Sequence, residues 1–324
     1  MELTALQQDP ALDQNLAMRI LEEVFAHRRL LLGEHEKEPM PSSEAAPHLP
    51  KVLKAIQAGK PVPMVLPAFP AKSPSREKTL SHLPDHGEEL ALHNLNNLCN
   101  RIRRIYEPGA RIIICSDGRV FADVVRIPDA HVTEYNAALR NLARAWGLDN
   151  IEFYDLDDVY SGVKDYAILR EDLMVLYGEA IQPLQERCKA QPGAGEMYRG
   201  ITRFLLEDFS GLEEFSHLSR SAIQNIARTS AYRVIQRSNA WGRLLADKLS
   251  DAVRLSIHPQ FRLSEKIGIN LIAQADGWAT PWHSVVLKSR DGIRLMSRKD
   301  AEKLNAALIY RDGRPSHYEL META

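Results

Sequence analysis

The stretch that decides the fold is ARIIICSDGRVFADVVRIPDAHVTEYNAALRNLARAWGLDNIEFYDL, Ala110 to Leu156. It opens on a short continuous apolar run, Ile112 to Cys115, with the length and β-branched content of a buried strand. Pro128 then stands where a helix begins. Val132, Tyr135, Leu139, Leu142 and Trp146 follow at alternating spacings of three and four, and Gly147 is placed to end the helix. NIEFYDL supplies the next strand. Strand, long helix, strand is a right-handed crossover between parallel strands.

Reading outward, Leu92, Leu95, Leu98, Ile102 and Ile105 recur at helical spacing before this unit, and PVPMVLP predicts a strand over Val62 to Leu66. Its prolines predict a place near an edge or an end of the sheet. Leu16, Ile20, Leu21, Val24 and Phe25 mark an amphipathic N-terminal helix, with Gly33 placed to end it. EHEKEPMPSSEAAPHLP, Glu34 to Pro50, reads as a mobile, Pro-rich linker, so residues 1–50 are expected to precede a main domain over 51–324. Residues 168–249 read as a mainly helical insertion, with Ser219 as an N-cap. AVRLSIH, KIGINLI, HSVVLKS and GIRLM lie so close together that hairpin or short-loop pairing is predicted for them. The expected fold is α/β and Rossmann-like: a mainly parallel sheet flanked by helices, a helical insertion, and a partly antiparallel C-terminal sheet.

Composition narrows the function. With 324 residues, 44% apolar and 26% charged, the chain can bury a full core, and a net charge of −2 offers no field for nucleic acid or an anionic membrane. Cys99, Cys115 and Cys188 lack disulfide or zinc-ligand spacing, which fits a reducing compartment. The start, MELTALQQDPALDQN, lacks the basic and apolar segments of a signal peptide, and no apolar run approaches the roughly 20 residues of a membrane span. A cytoplasmic protein is expected. No GxGxxG or GxxxxGK[ST] motif supports nucleotide binding.

Four polar clusters fall at expected strand ends, where open α/β sheets place ligands: FPAKS from Phe69, SDGR from Ser116, RLSIHP from Arg254 and TPWHS from Thr280. In RLSIHP, Val253, Leu255 and Ile257 alternate with Arg254, Ser256 and His258, which therefore share a face. Arg254 and His258 would stand about 13 Å apart at their α-carbons, within reach of one ligand of sugar-phosphate size. Lys72, Arg119 and Arg254 supply cations, Asp117 a carboxylate, and His258 and His283 proton carriers near neutral pH. Such a set suits a small anionic substrate. Phe69 and Trp282 read equally as substrate walls and as packing residues. A metal centre on His258, His283 and Asp276 is the competing reading, although no ligand motif commits the three to one ion. Neither a GxSxG elbow nor an activated cysteine is present.

Taken in order, FPAKSPSREKTLSHLPDHGEELAL from Phe69, SDGRVFADVVRIPDAHVTEYNAALRNLA from Ser116, YRGITRFLLED from Tyr198, RLSIHP and TPWHSVV resemble the isocyanide (isonitrile) synthase family, the pyoverdine and dityrosine biosynthesis proteins. The resemblance runs from about Val62 to about Val286. It implies a Rossmann-like enzyme of secondary metabolism that joins the amino group of an aromatic L-amino acid to C2 of ribulose 5-phosphate. The sugar phosphate is then fragmented, leaving that carbon as the isocyanide. L-Tyrosine is the expected amino acid and L-tryptophan the alternative. Neither a metal nor a nicotinamide is expected, and the product would pass to an oxygenase.

Set beside that reaction, His258, His283, Lys72 and Asp117 are the catalytic candidates. Arg119, Arg254, Ser256, Phe69, Trp282 and Arg199 are the substrate-binding ones. Lys72 is expected to act electrostatically, with a Schiff base as its other possible role. A non-catalytic protein that binds a phosphorylated metabolite would use the cations but not the paired histidines, and a structural partner in a biosynthetic complex would show no turnover when purified.

Overall fold

The computed structural model describes residues 10–162, 165–272 and 279–320. Strands β1 (Val62–Pro67), β2 (Ala110–Cys115), β3 (Ile151–Tyr154), β4 (Val253–Ser256) and β5 (Ile267–Gly268) form one parallel sheet in the order β3-β2-β1-β4-β5. Helices α1 (Pro10–Phe25), α2 (Pro41–Ala45) and α3 (Leu49–Gln57) precede β1, and α4 (His86–Arg103) crosses from β1 to β2. From β2 the chain passes through α5 (Gly118–Phe121) and α6 (Asp129–Ala145) to β3. Between β3 and β4 lie α7 (Leu156–Val159), α8 (Tyr166–Tyr177), α9 (Ile181–Ala190), α10 (Pro192–Ser210) and α11 (Arg220–Lys248), with Ser219 accepting from the Ala222 amide as its N-cap. This helical run carries the chain across β1, so β1 and β4 flank the point where the winding reverses.

The sheet is covered on both faces, and strand alternation divides the core accordingly. Met64, Leu66, Ile112, Ile114, Val253 and Leu255 pack with Ile20 and Leu21 of α1 and Leu92, Leu95 and Leu98 of α4. Val65, Ile113 and Cys115 face the other way, onto Leu169 and Leu173 of α8 and Trp241 and Leu244 of α11. A second sheet comprises β6 (Val285–Ser289), β7 (Gly292–Met296), β8 (Ala307–Arg311) and β9 (Arg314–Glu319) in the order β7-β6-β9-β8, with α12 (Arg298–Lys303) between β7 and β8. It is mixed: β6 pairs antiparallel to β7 and parallel to β9.

Four local expectations change. PVPMVLP is a central strand. The Val62 amide donates to the Gly109 carbonyl on the β2 side, so Pro63 and Pro67 turn their nitrogens toward β4, whose pairing is confined to Met64 and Val65. AVRLSIH and KIGINLI join the parallel sheet instead of a hairpin, because β4 docks on β1 in parallel register. HSVVLKS and GIRLM do form the hairpin. The segment Glu34 to Pro50, read as a mobile linker, carries α2 and the start of α3. Its Glu34 and Glu44 are buried: the Arg262 amide donates to Glu34 over 3.0 Å, and both Arg28 and Arg262 pair with Glu44. The first helix ends at Phe25, ahead of Gly33. Among the described residues no helix is long and apolar enough to cross a membrane.

Candidate active site

The loops leaving β1 and β2 meet at the carboxyl edge of the sheet. The β1 loop turns at Phe69, whose φ of 56° is left-handed, and its buried ring packs on Trp282 with centroids 5.1 Å apart. A bulky residue in that region costs about 1–3 kcal/mol, so packing and hydrogen bonding must hold it there. Ser116 Oγ donates to the Phe69 carbonyl over 3.0 Å. Gly118 lies so close to the same loop that a β-carbon would come to 1.7 Å from the Pro70 carbonyl oxygen. TPWHS forms a 3-10 turn at Pro281–His283, tied to the β1 loop by the Ser73 amide donating to Trp282 O at 2.8 Å and Lys72 Nζ donating to Pro281 O at 2.9 Å. RLSIHP enters from the other side of β1, with Arg254 in register with Val65. There Arg254 Nη2 donates to the Gly242 carbonyl of α11 over 3.4 Å, while Val253 and Leu255 enter the opposite core.

Asp117 Oδ1 and His283 Nδ1 are sealed polar atoms with no hydrogen-bond partner. Burial pushes the Asp117 carboxyl up to about 7. His283 is driven well below its ordinary value by burial and then by the charges of Lys78 and Lys72, which makes it a neutral imidazole at pH 7. Its ring stands edge-on to Phe204 of α10, centroids 4.2 Å apart. Lys78 Nζ lies 4.0 Å above the same Phe204 ring and 2.7 Å from Asp208 Oδ1. A carboxyl that titrates near pH 7 can hold a proton there, and a neutral imidazole with an unpartnered Nδ1 can accept a hydrogen bond.

The remaining candidates divide. Ser256 accepts from the His258 amide over 3.1 Å, and His258 lies at the surface beyond it, held below its usual pKa by its surroundings and then by Arg29 and Lys266. Lys72 is fully enclosed between Asp85 Oδ2 at 2.7 Å and Glu88 Oε2 at 2.8 Å. Burial alone would lower its pKa, but the two carboxylates outweigh that and raise it. With its charge already matched and its ammonium donating to Asp85 and Pro281, Lys72 is presented neither as an anion holder nor as a neutral amine for a Schiff base. Arg119 is likewise committed: it pairs with Asp129 at 3.2 Å and Asp157 at 3.5 Å, donates to Thr133 Oγ1 and stacks 3.7 Å from the Tyr166 ring. Phe69 and Trp282 are buried core residues beneath the loops. Arg199 is exposed on α10, beside Gly195.

Of the competing metal set, Asp276 lies outside the described residues. Among the described residues no three His, Cys, Asp or Glu side chains group so as to hold an ion. The cysteines are buried, and burial pushes the Cys99 thiol up to about 12. Sequence reasoning missed Asp85, Glu88, Lys78, Phe204 and Asp208. Asp85 and Glu88 carried a signal: D-x-x-E before an apolar run is the capping box that starts α4, in which the Asp85 side chain accepts from the Gly87 amide and the Asp85 amide donates to Glu88. Nothing local marked Lys78, on the β1 loop, or Phe204 and Asp208, which α10 brings to it.

A doubly wound sheet with an orphaned acid and base in the loops at its carboxyl edge defines an α/β enzyme acting on a small metabolite. The profile of the pyoverdine/dityrosine biosynthesis protein family matches residues 52–309. An L-tyrosine isonitrile synthase from Pseudomonas aeruginosa is 42% identical over 315 residues, covering 95% of each chain. An L-tryptophan isonitrile synthase from Fischerella ambigua is 41% identical over 95% of this chain and 92% of its own. The crystal structure of the PvcA protein from P. aeruginosa superposes with a TM-score of 0.88 at 42% identity, over 94% of this chain and all of that one. The chain belongs to the pyoverdine/dityrosine biosynthesis family and is an enzyme of the isonitrile synthase type.

Proposed function

We propose that the protein joins the amino group of L-tyrosine to C2 of ribulose 5-phosphate and releases tyrosine isocyanide, 2-isocyano-3-(4-hydroxyphenyl)propanoate. The observation that carries the reading is the two unpartnered atoms, Asp117 Oδ1 after β2 and His283 Nδ1 in the turn tied to the β1 loop. Condensation needs a base for the substrate ammonium and an acid for the departing ketone oxygen. Neutral His283 takes the first proton, and the protonated carboxyl of Asp117 gives the second, so that the oxygen leaves as water. His258, at the end of β4, serves the later proton transfers. As phosphate departs and the carbon–carbon bond breaks, Arg254 meets the developing negative charge. Lys72 acts through the turn it braces.

Support for L-tyrosine comes from the synthases of P. aeruginosa and, at 39% identity, Xenorhabdus nematophila, both named for that amino acid. L-Tryptophan is the second reading, favoured by the relative from F. ambigua. The product then passes to an oxygenase in the cytoplasm. Ribulose 5-phosphate carrying carbon-13 at C2 tests the assignment. The label is expected in the isocyanide carbon with one phosphate released per turnover, and an isocyanide formed without label would overturn the carbon source.

A further inference from the structure

The register of the edge strand carries a feature the acid–base pair leaves unexplained. β5 runs parallel to β4 with Leu255 opposite Ile267 and Ser256 opposite Gly268, so one residue earlier Lys266 stands beside Arg254. Alternation puts both side chains on the α11 face, together with Ser256. Like charges side by side on neighbouring strands are destabilising, and among the described residues neither group makes an ion pair. Lys266 is exposed at the sheet edge and Arg254 is half-buried; desolvation and then the charge of Arg254 lower the Lys266 pKa, and Glu265, next in sequence, opposes them more weakly.

The surroundings add positive charge. Gly268 has no room for a side chain, since a β-carbon would lie 2.3 Å from the Arg29 carbonyl oxygen and 2.8 Å from that of His258. The chain after β4 therefore folds down over β5, where Arg29 Nη1 donates to Ile257 O and the charges of Arg29 and Lys266 both act on His258. Two cations side by side on neighbouring strands suit an anion that spans them. A phosphate monoester suits the pair, because its several oxygens accept from a guanidinium fork and an ammonium at once.

We propose that Arg254 and Lys266 are the phosphate subsite, holding the phosphate monoester of the sugar substrate at the β4–β5 edge while its C2 end faces the acid–base pair. The assignment rests on the function proposed above, because it places one end of that reaction's second substrate. Calorimetric titration tests it, using ribulose 5-phosphate, inorganic phosphate and unphosphorylated ribulose with the wild type, Lys266→Gln and Lys266→Glu. Lys266→Gln should weaken ribulose 5-phosphate at least tenfold and leave any affinity for ribulose unchanged. Lys266→Glu should weaken the phosphate ligands about a hundredfold and melt no lower than the wild type, since Glu beside Arg254 makes an opposite-charge pair. Unaltered ribulose 5-phosphate affinity in Lys266→Gln would overturn the subsite, and this variant decides alone if Lys266→Glu does not fold. Turnover separates the two claims. Isocyanide production with an unchanged KM for ribulose 5-phosphate in Lys266→Gln removes only the subsite, whereas phosphate-dependent binding with no isocyanide from any amino acid supports the subsite and removes the function.

Discussion

Replacing Asp117 with Asn should stabilise the protein, and should do so only as the pH rises. Burial raises the Asp117 carboxyl from 3.8 to about 7 in the folded state. A carboxyl raised on folding contributes stability that is fully present below its unfolded value, and that contribution is lost as pH rises through the folded one. Below about pH 4 the native protein holds a neutral acid at no electrostatic penalty. Above pH 7 it must keep a carboxylate whose sealed Oδ1 meets no protein donor. A displacement of about three pKa units corresponds to roughly 4 kcal/mol at most, at about 1.4 kcal/mol per unit. Asn is close in shape and does not titrate. The gap between Asp117→Asn and the wild type, measured by urea denaturation from pH 4 to pH 8.5, should therefore widen by a few kcal/mol and level off above pH 8, while the variant loses most of its turnover. A gap independent of pH would show that Asp117 is not raised and would remove its place as the acid.

Other perturbations read separate parts of the site. Lys72→Met leaves Asp85 and Glu88 facing each other in the core and should cost about 3–5 kcal/mol in a denaturant melt. Borohydride treatment with ribulose 5-phosphate should give no Lys72 adduct by intact mass, and a stable Lys72→Met protein without activity would reverse the bracing role. Gly118→Ala drives a methyl into the Pro70 carbonyl, so loss of turnover and a lowered melting temperature are expected together, and an unaffected variant would mean the two loops are not in contact. His283→Ala should keep substrate affinity and lose at least a hundredfold in kcat, and near-normal kcat would exclude it as the base. His258→Ala is expected to bind substrate and lose most turnover as well, whereas Arg254→Ala should act mainly on KM for the sugar phosphate.

What was legible in the sequence depended on how local its cause was. The α6 helix could be read because Val132, Tyr135 and Leu139 lie on one buried face, and the alternation in RLSIHP because Val253 and Leu255 face the core. Pro63 misdirected the reading of β1, since whether a missing amide matters depends on where a partner 190 residues away begins to pair. The Glu34–Pro50 segment looked like a linker because its charges seemed solvated, when Arg28 and Arg262 bury them. In the site, the four clusters could be listed in advance, but not which charges were already paired. Lys72 and Arg119 look in sequence like Arg254, and only folding reveals the carboxylates around the first two. His283 could be read as a proton carrier, but not its neighbour Phe204 or the Asp208 that pairs Lys78, because α10 arrives from more than a hundred residues beyond the β1 loop.

The most direct test is to incubate the purified protein with ribulose 5-phosphate and L-tyrosine, and separately with L-tryptophan, then trap any isocyanide with a tetrazine and identify the adduct by mass. The adduct of tyrosine isocyanide is expected to dominate and to vanish when ribulose 5-phosphate is omitted. A tryptophan adduct alone would move the substrate assignment, and no adduct from any aromatic amino acid with folded protein would contradict the proposed reaction.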